Sequence, residues 1–269
     1  LVGSEMCIRD RKRPLSEPSL SAFRKDAGVL QFGTLGSGNH FVELQADECD
    51  GRLWLMIHSG SRLMGQAIRD HHESRAEPVG GGLKALDAST PVGQAYLHDA
   101  AWARDYASAN RRAMAQRVMT VLRSILNARA DEASICNIDH NHVVREHHGD
   151  AEWYVHRKGA MPAGEGVAGV VPGSMGTASF HVTGRGCAEA LCSSAHGAGR
   201  AMSRQQAKLA IGERRLHQEM QGVWFDYRRA EYLRDEAPSA YKDVRAVMRA
   251  QCELVRIDRT LRPVLSYKG

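Results

Sequence analysis

The sequence predicts an α+β fold in which mixed or antiparallel sheets are flanked by helices. Strand-like runs and helical patterns occur in clusters along the chain and do not alternate strictly, which disfavours a doubly wound parallel sheet. The sequence contains no internal repeat. A chain of 269 residues can bury roughly three quarters of its unfolded surface, so a well-packed core is expected.

The first strong pattern is an apolar strand at residues 53–57. Leu53, Leu55 and Ile57 alternate with Trp54 and Met56, and the run leads directly into a polar turn that begins at His58. The low-complexity segment 77–82, EPVGGG, is the candidate flexible linker that follows. We expect it to join this strand region to a helical region.

A long helix is expected after residue 90. Thr90 supplies an N-cap and Pro91 suits the first helical position. Apolar residues then recur at helical spacing from Tyr96 to Ile125. Beyond this helix we predict short strands at 134–138, 152–156, 167–171 and 179–182, and helices at 199–211 and 241–254.

The composition narrows the class of protein. Lys and Arg exceed Asp and Glu by 36 to 31, which gives a formal charge of +5 and a mild preference for polyanions. No apolar run approaches the ~18 residues that a membrane span needs. The six cysteines form no CxxC pair, so a disulfide framework is disfavoured and a reducing cytoplasm is the expected location.

Three histidines lie in segments that suit metal or phosphate binding. His40 follows the glycine-rich turn GSGN, His58 ends the apolar strand, and His140 lies in DHNH. A transition metal bound by three imidazole nitrogens would keep open coordination positions, which is typical of a catalytic site and not of a structural one. Each histidine taken alone also fits a simple turn or a satisfied core position, and both interpretations stay open.

The segment from Arg157 to Ser179 is dense in glycine, serine and proline. Such a loop can wrap a nucleotide, and residues 172–176 offer backbone donors and a hydroxyl. The segment matches neither a Walker A loop nor a dinucleotide-binding fingerprint.

His196 is the candidate nucleophile. It lies among small residues in SSAHGAGR, which we interpret as a helix start where backbone N–H groups stabilise an anion. A neutral imidazole that is accessible to phosphate can attack phosphorus. A histidine that merely packs at a helix N-terminus fits the motif equally well.

Two other classes of function compete with this one. A metal-dependent phosphohydrolase could use the same histidines with Glu43 as a base, although the chain has no H-E-x-x-H pair. A non-enzymatic RNA-binding module needs aromatic platforms interleaved with basic residues, and aromatics are only 6% of the chain. We rank the RNA-binding module lowest.

The ordered set of motifs GSGNHFVE, IHSGSR, DHN, RKGA, PGSMGTAS, HGAGR, AYKD and the terminal Lys268-Gly269 resembles the RtcB family of RNA-splicing ligases. The resemblance covers residues 33–269, which would form a partial RtcB-like catalytic domain. It implies GTP- and Mn²⁺-dependent joining of RNA 3′-phosphate or 2′,3′-cyclic phosphate ends to 5′-hydroxyl ends, in tRNA splicing or RNA repair. Which RNA is used, and whether an archease-like activator takes part, stays open.

The resemblance also assigns residues. His196 matches the histidine that becomes guanylylated, and His40, His58 and His140 match metal ligands. Tyr241 matches the aromatic residue that stacks on guanine. The positions that match the family's GTP pocket are Asn39, His40, Phe41, Val42, Glu43, His140, Asn141, Pro172, Gly173, Ser174, Met175, Ser179, His196, Gly197, Ala198, Gly199, Tyr241 and Lys268.

One departure from the family pattern concerns the N-terminal region. Residues 1–32 read as an atypical or non-native leader, because they show neither an initiating Met nor a signal-peptide pattern. The family carries an Asp and a Cys in a D-x-G-C-like segment before GSGNHFVE, and this chain shows none; Cys7 lacks that context. We therefore expect an N-terminally truncated chain with an incomplete metal site and weakened or absent ligation.

Overall fold

The computed structural model describes residues 13–269, so Cys7 lies outside the described residues. The chain forms two compact units, each built from two stretches of sequence. Among the described residues, the first unit comprises residues 13–36 and Ser59–Asp131, and the second comprises Ser37–His58 and Glu132–Gly269. The combination of helices with antiparallel sheets confirms the predicted α+β class.

The first unit is helical. Helix α1 (Pro18–Phe23) continues through a π-helical turn (Arg24–Gly28) and ends with Val29–Gln31. Helix α2 spans Arg62–Glu73, and a hairpin of β3 (Glu77–Gly80) and β4 (Leu83–Ala85) follows. The core of this unit consists of buried apolar side chains from residues 15–20, α2 and the long helix: Leu15, Leu20, Met64, Ile68, Trp102 and Tyr106.

The long helix α3 spans Pro91–Leu126 and confirms the prediction for this region. Thr90 caps it by accepting a hydrogen bond from the Gly93 backbone N–H at 3.2 Å, and Asn127 ends it in the left-handed conformation. Its fully buried Asn110 accepts a hydrogen bond from the Gly33 N–H at 2.6 Å and donates to the Thr34 carbonyl at 3.1 Å. The helix thereby fixes the turn that precedes residue 36.

The second unit contains a five-stranded antiparallel sheet with strand order β2-β1-β11-β9-β8. Its strands are β1 (Phe41–Asp47), β2 (Leu53–His58), β8 (Ala168–Val171), β9 (Ser179–Gly184) and β11 (Val255–Lys268). The other strands pair as β5 (Asn141–His148) with β6 (Ala151–Lys158) and β7 (Ala160–Pro162) with β10 (Ser193–Ala195). The register aligns Phe41 with His58 and with Lys268, so these three residues share one end of the sheet.

Short helices complete the second unit: α4 (Arg204–Ala210), α5 (Glu213–Glu219), α6 (Ala230–Leu233) and α7 (Val244–Ala250). Ile211, Leu216 and Met220 are buried with Met175 in one apolar cluster of this unit. Phe180, Val182 and Met248 belong to a second cluster beside the sheet. At about 25 cal/mol per Å² of apolar area, such burial is the main stabilising contribution.

Four local predictions were wrong. Segment 77–82 is not a linker, because it forms β3 and the turn of the hairpin, where Gly81 and Gly82 adopt positive φ. The strand predicted at 134–138 does not form, because Ser134 ends a 3₁₀ turn (Glu132–Ser134) and residues 135–138 are irregular. His140 immediately precedes β5. The predicted helices at 199–211 and 241–254 are shorter, since Ser203 and Asp243 are the true N-caps of α4 and α7.

Within residues 13–269, no helix is long and apolar enough to cross a membrane.

Candidate functional site

All of the predicted site residues lie in the second unit. Four of them, His40, His58, His140 and His196, form a continuous row of imidazoles. The ring centroids are 5.7 Å apart for His40 and His58, 4.9 Å for His58 and His140, and 4.3 Å for His140 and His196. We call these four residues the histidine row.

Different elements bring the histidine row together. His40 immediately precedes β1, and His58 ends β2, which pairs with β1. His140 immediately precedes β5, and His196 immediately follows β10. Sequence separation between the members reaches 156 residues (196 − 40), so only the tertiary fold produces this arrangement.

The centre of the row is desolvated. Burial lowers the pKa of His58 well below its ordinary value, and the neighbouring His140, His40, His196 and Lys268 lower it further. Near neutral pH the His58 ring is therefore uncharged, which is the form that ligates a metal ion. The Phe41 ring lies 5.4 Å from the His58 ring and closes one side of it.

The donor chemistry of the row fits a transition metal, since His40, His58 and His140 are adjacent imidazoles and imidazole suits such ions. The side chains as they stand are not arranged as a ligand set. Among residues 13–269, no group of three His, Cys, Asp or Glu side chains is placed to hold a metal ion. Metal binding at this row would require rotation of the rings.

His196 does not start a helix, and this sequence interpretation was wrong. Gly199 adopts a φ of +72° and breaks the helical path, Arg200 pairs with Tyr241, and α4 begins only after Ser203. Ser203 and Gln206 form a capping box there, which fixes the true helix start. Any anion bound at His196 therefore gains nothing from a helix dipole at that residue.

The loop at residues 172–179 packs against the segment that carries His196. The Ala198 N–H donates to the Pro172 carbonyl at 3.0 Å, and a Cβ at Gly197 would lie 3.3 Å from that same oxygen. The Gly173 N–H donates to Ser179 Oγ at 3.3 Å, and the Ser174 N–H donates to Thr177 Oγ1 at 2.7 Å. The side chain of Met175 is buried in the apolar core, so only its backbone can face a ligand.

Glu43 lies on β1 beneath this loop and is almost fully buried. Ser266 Oγ donates to one carboxylate oxygen at 2.8 Å, and Gln45 Nε2 donates to the other at 2.8 Å. Burial raises the pKa of Glu43 to about 7, against the opposing effects of the Ser266 hydrogen bond, the Lys268 charge and the Gln45 hydrogen bond. Gln45 also donates to Ser179 Oγ at 3.0 Å, which connects Glu43 to the loop.

Tyr241 and Lys268 lie beside a cluster of charged residues. The Arg200 guanidinium carbon lies 4.9 Å from the Tyr241 ring centroid, and the Tyr241 hydroxyl donates to Glu236 at 2.8 Å. Lys268 also contacts Glu236, and its amine lies 5.5 Å from the Phe41 ring centroid. Asn39 and Asn141 are exposed at the ends of the segments that carry His40 and His140.

Sequence reasoning missed several polar residues around the site. Gln45 and Glu236 are buried in it, and Arg157 is buried where it donates to Glu146 at 2.8 Å and to Ser193 at 2.9 Å. Arg157 thereby ties the β5–β6 hairpin to the strand that leads to His196. Arg157 stands in the RKGA motif, but the motif does not indicate this structural role, and no motif marks Gln45 or Glu236. Burial of a polar or charged side chain becomes visible only in the fold.

The α+β fold, the histidine row and the adjoining glycine- and serine-rich loop define a protein whose site is suited to nucleotide or phosphate chemistry. Comparison with known sequences then gives the family. The family model for tRNA-splicing ligase RtcB matches residues 7–269, and the chain belongs to this family.

Curated relatives agree with this assignment. The chain is 41% identical over 251 residues to the RNA-splicing ligase RtcB of Escherichia coli K12, a match that covers 88% of this chain and 61% of that protein. It is 33% identical to the RNA-splicing ligase RtcB of Mycobacterium tuberculosis, a match that covers 90% of this chain and 66% of that protein. It is 29% identical to the RNA-splicing ligase RtcB homolog 1 of Entamoeba dispar, a match that covers 98% of this chain and 58% of that protein. The chain thus spans about three fifths of the length of the Escherichia coli protein and about two thirds of that of the Mycobacterium tuberculosis protein.

Proposed function

We propose that this chain carries the guanylylation site of an RNA ligase that uses GTP and Mn²⁺. The contact between His140 and His196, with ring centroids 4.3 Å apart, is the observation that supports it most directly. This contact puts the candidate nucleophile at the end of the histidine row, in a chain of the RtcB family. The names of the relatives, RNA-splicing ligases, indicate the substrate class.

In the proposed reaction, an imidazole nitrogen of His196 attacks the α-phosphorus of GTP, and pyrophosphate leaves. The GMP is then transferred from His196 to an RNA 3′-phosphate. The 5′-hydroxyl of a second RNA attacks this activated phosphorus, which forms the phosphodiester and releases GMP. A Cβ at Gly159 would lie 3.8 Å from the His196 ring, so the glycine at this position keeps that side of the imidazole uncovered.

The other residues of the site have binding roles in this proposal. His40, His58 and His140 would hold Mn²⁺, and the ion would supply positive charge for the transferring phosphoryl group. The backbone N–H groups and hydroxyls of residues 172–179, together with Asn39, Glu43 and Lys268, bind GTP, and Tyr241 stacks on the base. The proposal extends to two partners, an RNA substrate and an archease-like activator.

An RNA-joining assay tests the function. The chain is incubated with GTP, Mn²⁺ and two oligonucleotides, one ending in a 3′-phosphate and the other beginning with a 5′-hydroxyl. We expect a joined product in low yield, in keeping with the incomplete metal site expected from the sequence. This product should disappear in His196→Ala and persist in His217→Ala, a matched change at an exposed histidine of α5. Release of inorganic phosphate from the 3′-phosphate without any joined product would instead indicate the phosphohydrolase that the sequence left open.

A further inference from the structure

Two residues of the proposed nucleotide pocket converge on one carboxylate that no motif identifies. Glu236 lies at the end of the 3₁₀ turn Arg234–Glu236 and is 2% exposed. Its Oε2 accepts a hydrogen bond from the Tyr241 hydroxyl at 2.8 Å, and the Lys268 amine contacts the same oxygen. The two pocket residues are therefore fixed relative to each other through Glu236.

The second oxygen of Glu236 is also engaged. Arg200 Nη1 lies 3.4 Å from Oε1, and Arg204 contacts the same oxygen. The Arg200 guanidinium also lies over the Tyr241 ring. Glu236 therefore contacts both the Arg200 guanidinium and the Tyr241 hydroxyl. Burial raises the pKa of Tyr241, and the charge and hydrogen bond of Glu236 raise it further.

Electrostatics explain why an acid occupies this position. Lys268 is only 7% exposed, and a buried ammonium group is costly unless it is paired. Arg200 and Arg204 add two more positive charges around the same site. Without the Glu236 carboxylate, the Lys268 amine would be left unpaired beside two guanidinium groups, and it would move towards solvent.

We propose that Glu236 is a positioning residue of the nucleotide pocket, holding the Tyr241 ring and the Lys268 amine in the orientation in which they meet the base of the nucleotide. Glu236 acts through these two side chains and does not itself contact the nucleotide. This inference rests on the proposed function, because it assumes that Tyr241 and Lys268 bind GTP.

Two variants separate positioning from general stability. Glu236→Gln keeps the size of the side chain and an acceptor for the Tyr241 hydroxyl, but it removes the charge that pairs with Lys268. Asp235→Asn is the matched control, since Asp235 is 5% exposed and binds Arg204 at 2.6 Å. Among the described contacts, Asp235 touches neither Tyr241 nor the Lys268 amine. Glu236→Asp restores the charge on a shorter side chain and tests for partial rescue.

Two readouts are measured on the full chain. The first is the rate at which the Lys268 amine is acetylated, mapped by peptide mass spectrometry without nucleotide. The second is the KM for GTP in covalent labelling of the protein. A hydrogen bond to a charged group is strong enough for its loss to weaken binding about tenfold. We expect Glu236→Gln to expose Lys268 to acetylation and to raise the KM about tenfold, while the maximal labelling rate changes less than about threefold.

The outcomes are distinguishable. The proposal is supported if Asp235→Asn leaves both readouts near the unmutated values and Glu236→Asp falls between. Unchanged acetylation of Lys268 in Glu236→Gln overturns it whether or not the chain uses GTP. An equal rise of KM in Asp235→Asn also overturns it, because the effect would then reflect Arg204 or stability. A further outcome is that the unmutated chain takes up no label while Lys268 becomes open to acetylation only in Glu236→Gln. In that case the proposed function fails, and the nucleotide role of Glu236 fails with it. The contact between Glu236 and Lys268 would still stand.

Discussion

At the scale of single residues, burial shifts the pKa values of His58 and Glu43 in opposite directions. Burial lowers the pKa of His58 well below its usual range and raises the pKa of Glu43 to about 7. In both cases the neutral form is favoured because water no longer solvates the charge. The site therefore places a deprotonated imidazole and a carboxyl group that titrates near neutrality on two paired strands, β2 and β1.

The stability contributed by Glu43 depends on pH. Because its pKa rises from 4.5 to about 7 on folding, the folded chain keeps a proton between these values that the unfolded chain has released. The contribution of Glu43 to the free energy of unfolding is fully present below pH 4.5 and is lost as the pH rises through 7. For this one group the loss is roughly 3 kcal/mol. The variant Glu43→Gln lacks this titration.

Denaturant unfolding of both proteins at several pH values tests this prediction. Relative to the unmutated chain, Glu43→Gln should become more stable as the pH rises from 4.5 to 7.5. Glu213→Gln, which changes an exposed carboxylate at the start of α5, is the control and should show little trend. A stability difference that stays constant over this range would contradict the buried environment assigned to Glu43.

Local motifs in the sequence predicted the histidines of the site. They did not predict the buried polar residues that hydrogen-bond to the segments of the site. His40, His58, His140 and His196 were all identified from local motifs, and the fold brings them into ring contact. Their exact roles stay predictions. Gln45 and Glu236 were missed, and the structural role of Arg157 in the RKGA motif was not predicted, because burial of a polar side chain has no local signature. For Gln45 the partner Ser179 is also 134 residues away in the sequence.

At the scale of elements, the predictions succeeded where one pattern was strong and unopposed. Helix α3 and strand β2 have a clear period and, for α3, an N-cap, and both formed as expected. The helix proposed at 199–211 failed in its first part because Gly199 takes a positive φ and Arg200 pairs with Tyr241. Tertiary contacts decided the helix boundary there, and periodicity did not reveal them.

Asn110 in the middle of α3 gives a prediction for this helix. Its side chain hydrogen-bonds the Gly33 N–H, the Thr34 carbonyl and Ser59 Oγ, so Asn110→Ala leaves the buried Gly33 N–H without this partner and removes two further hydrogen bonds. Buried unsatisfied groups cost about 1–3 kcal/mol each. We expect a loss of about 2–4 kcal/mol in the free energy of unfolding, measured with urea. Gln116→Ala, at an exposed position of the same helix, should change it by less than about 0.5 kcal/mol.

The β5–β6 hairpin gives a second prediction at this scale. Hydrogen bonds from Arg157 hold the pKa of Glu146 down at about 2, with a smaller effect from His148. A depressed pKa contributes stability that is present above the unfolded value of 4.5 and is lost as the pH falls towards 2. Glu146→Gln should cost about 1.5–3 kcal/mol at pH 7 and progressively less below pH 4.5.

Urea unfolding at pH 7 and at low pH measures this difference. Glu152→Gln is the comparison, because Glu152 lies in the same hairpin with an exposed side chain that pairs with Arg145. Its effect at pH 7 should stay below about 1 kcal/mol, as for other exposed pairs. Equal effects of the two substitutions would contradict a special role for the Arg157–Glu146 contact in holding the hairpin.

At the scale of the whole molecule, every predicted site residue falls within one of the two compact units. The five-stranded sheet of this unit brings His40, Phe41, His58 and Lys268 to one end through the pairing of β1 with β2 and β11. The motifs before β5 and after β10 add His140 and His196 to this site. The first unit, which holds α1 to α3, contains none of the predicted site residues.

In the proposed function, His196 is the residue that GTP modifies. The chain is incubated with GTP labelled at the α-phosphate and with Mn²⁺, and the label is mapped by digestion and mass spectrometry. We expect a GMP adduct on the peptide that contains His196. This adduct should be stable to alkali and labile to acid, as a phosphoramidate is, and it should be absent from His196→Ala but present in His217→Ala. A GMP adduct on any other residue, or equal labelling of His196→Ala, would contradict it.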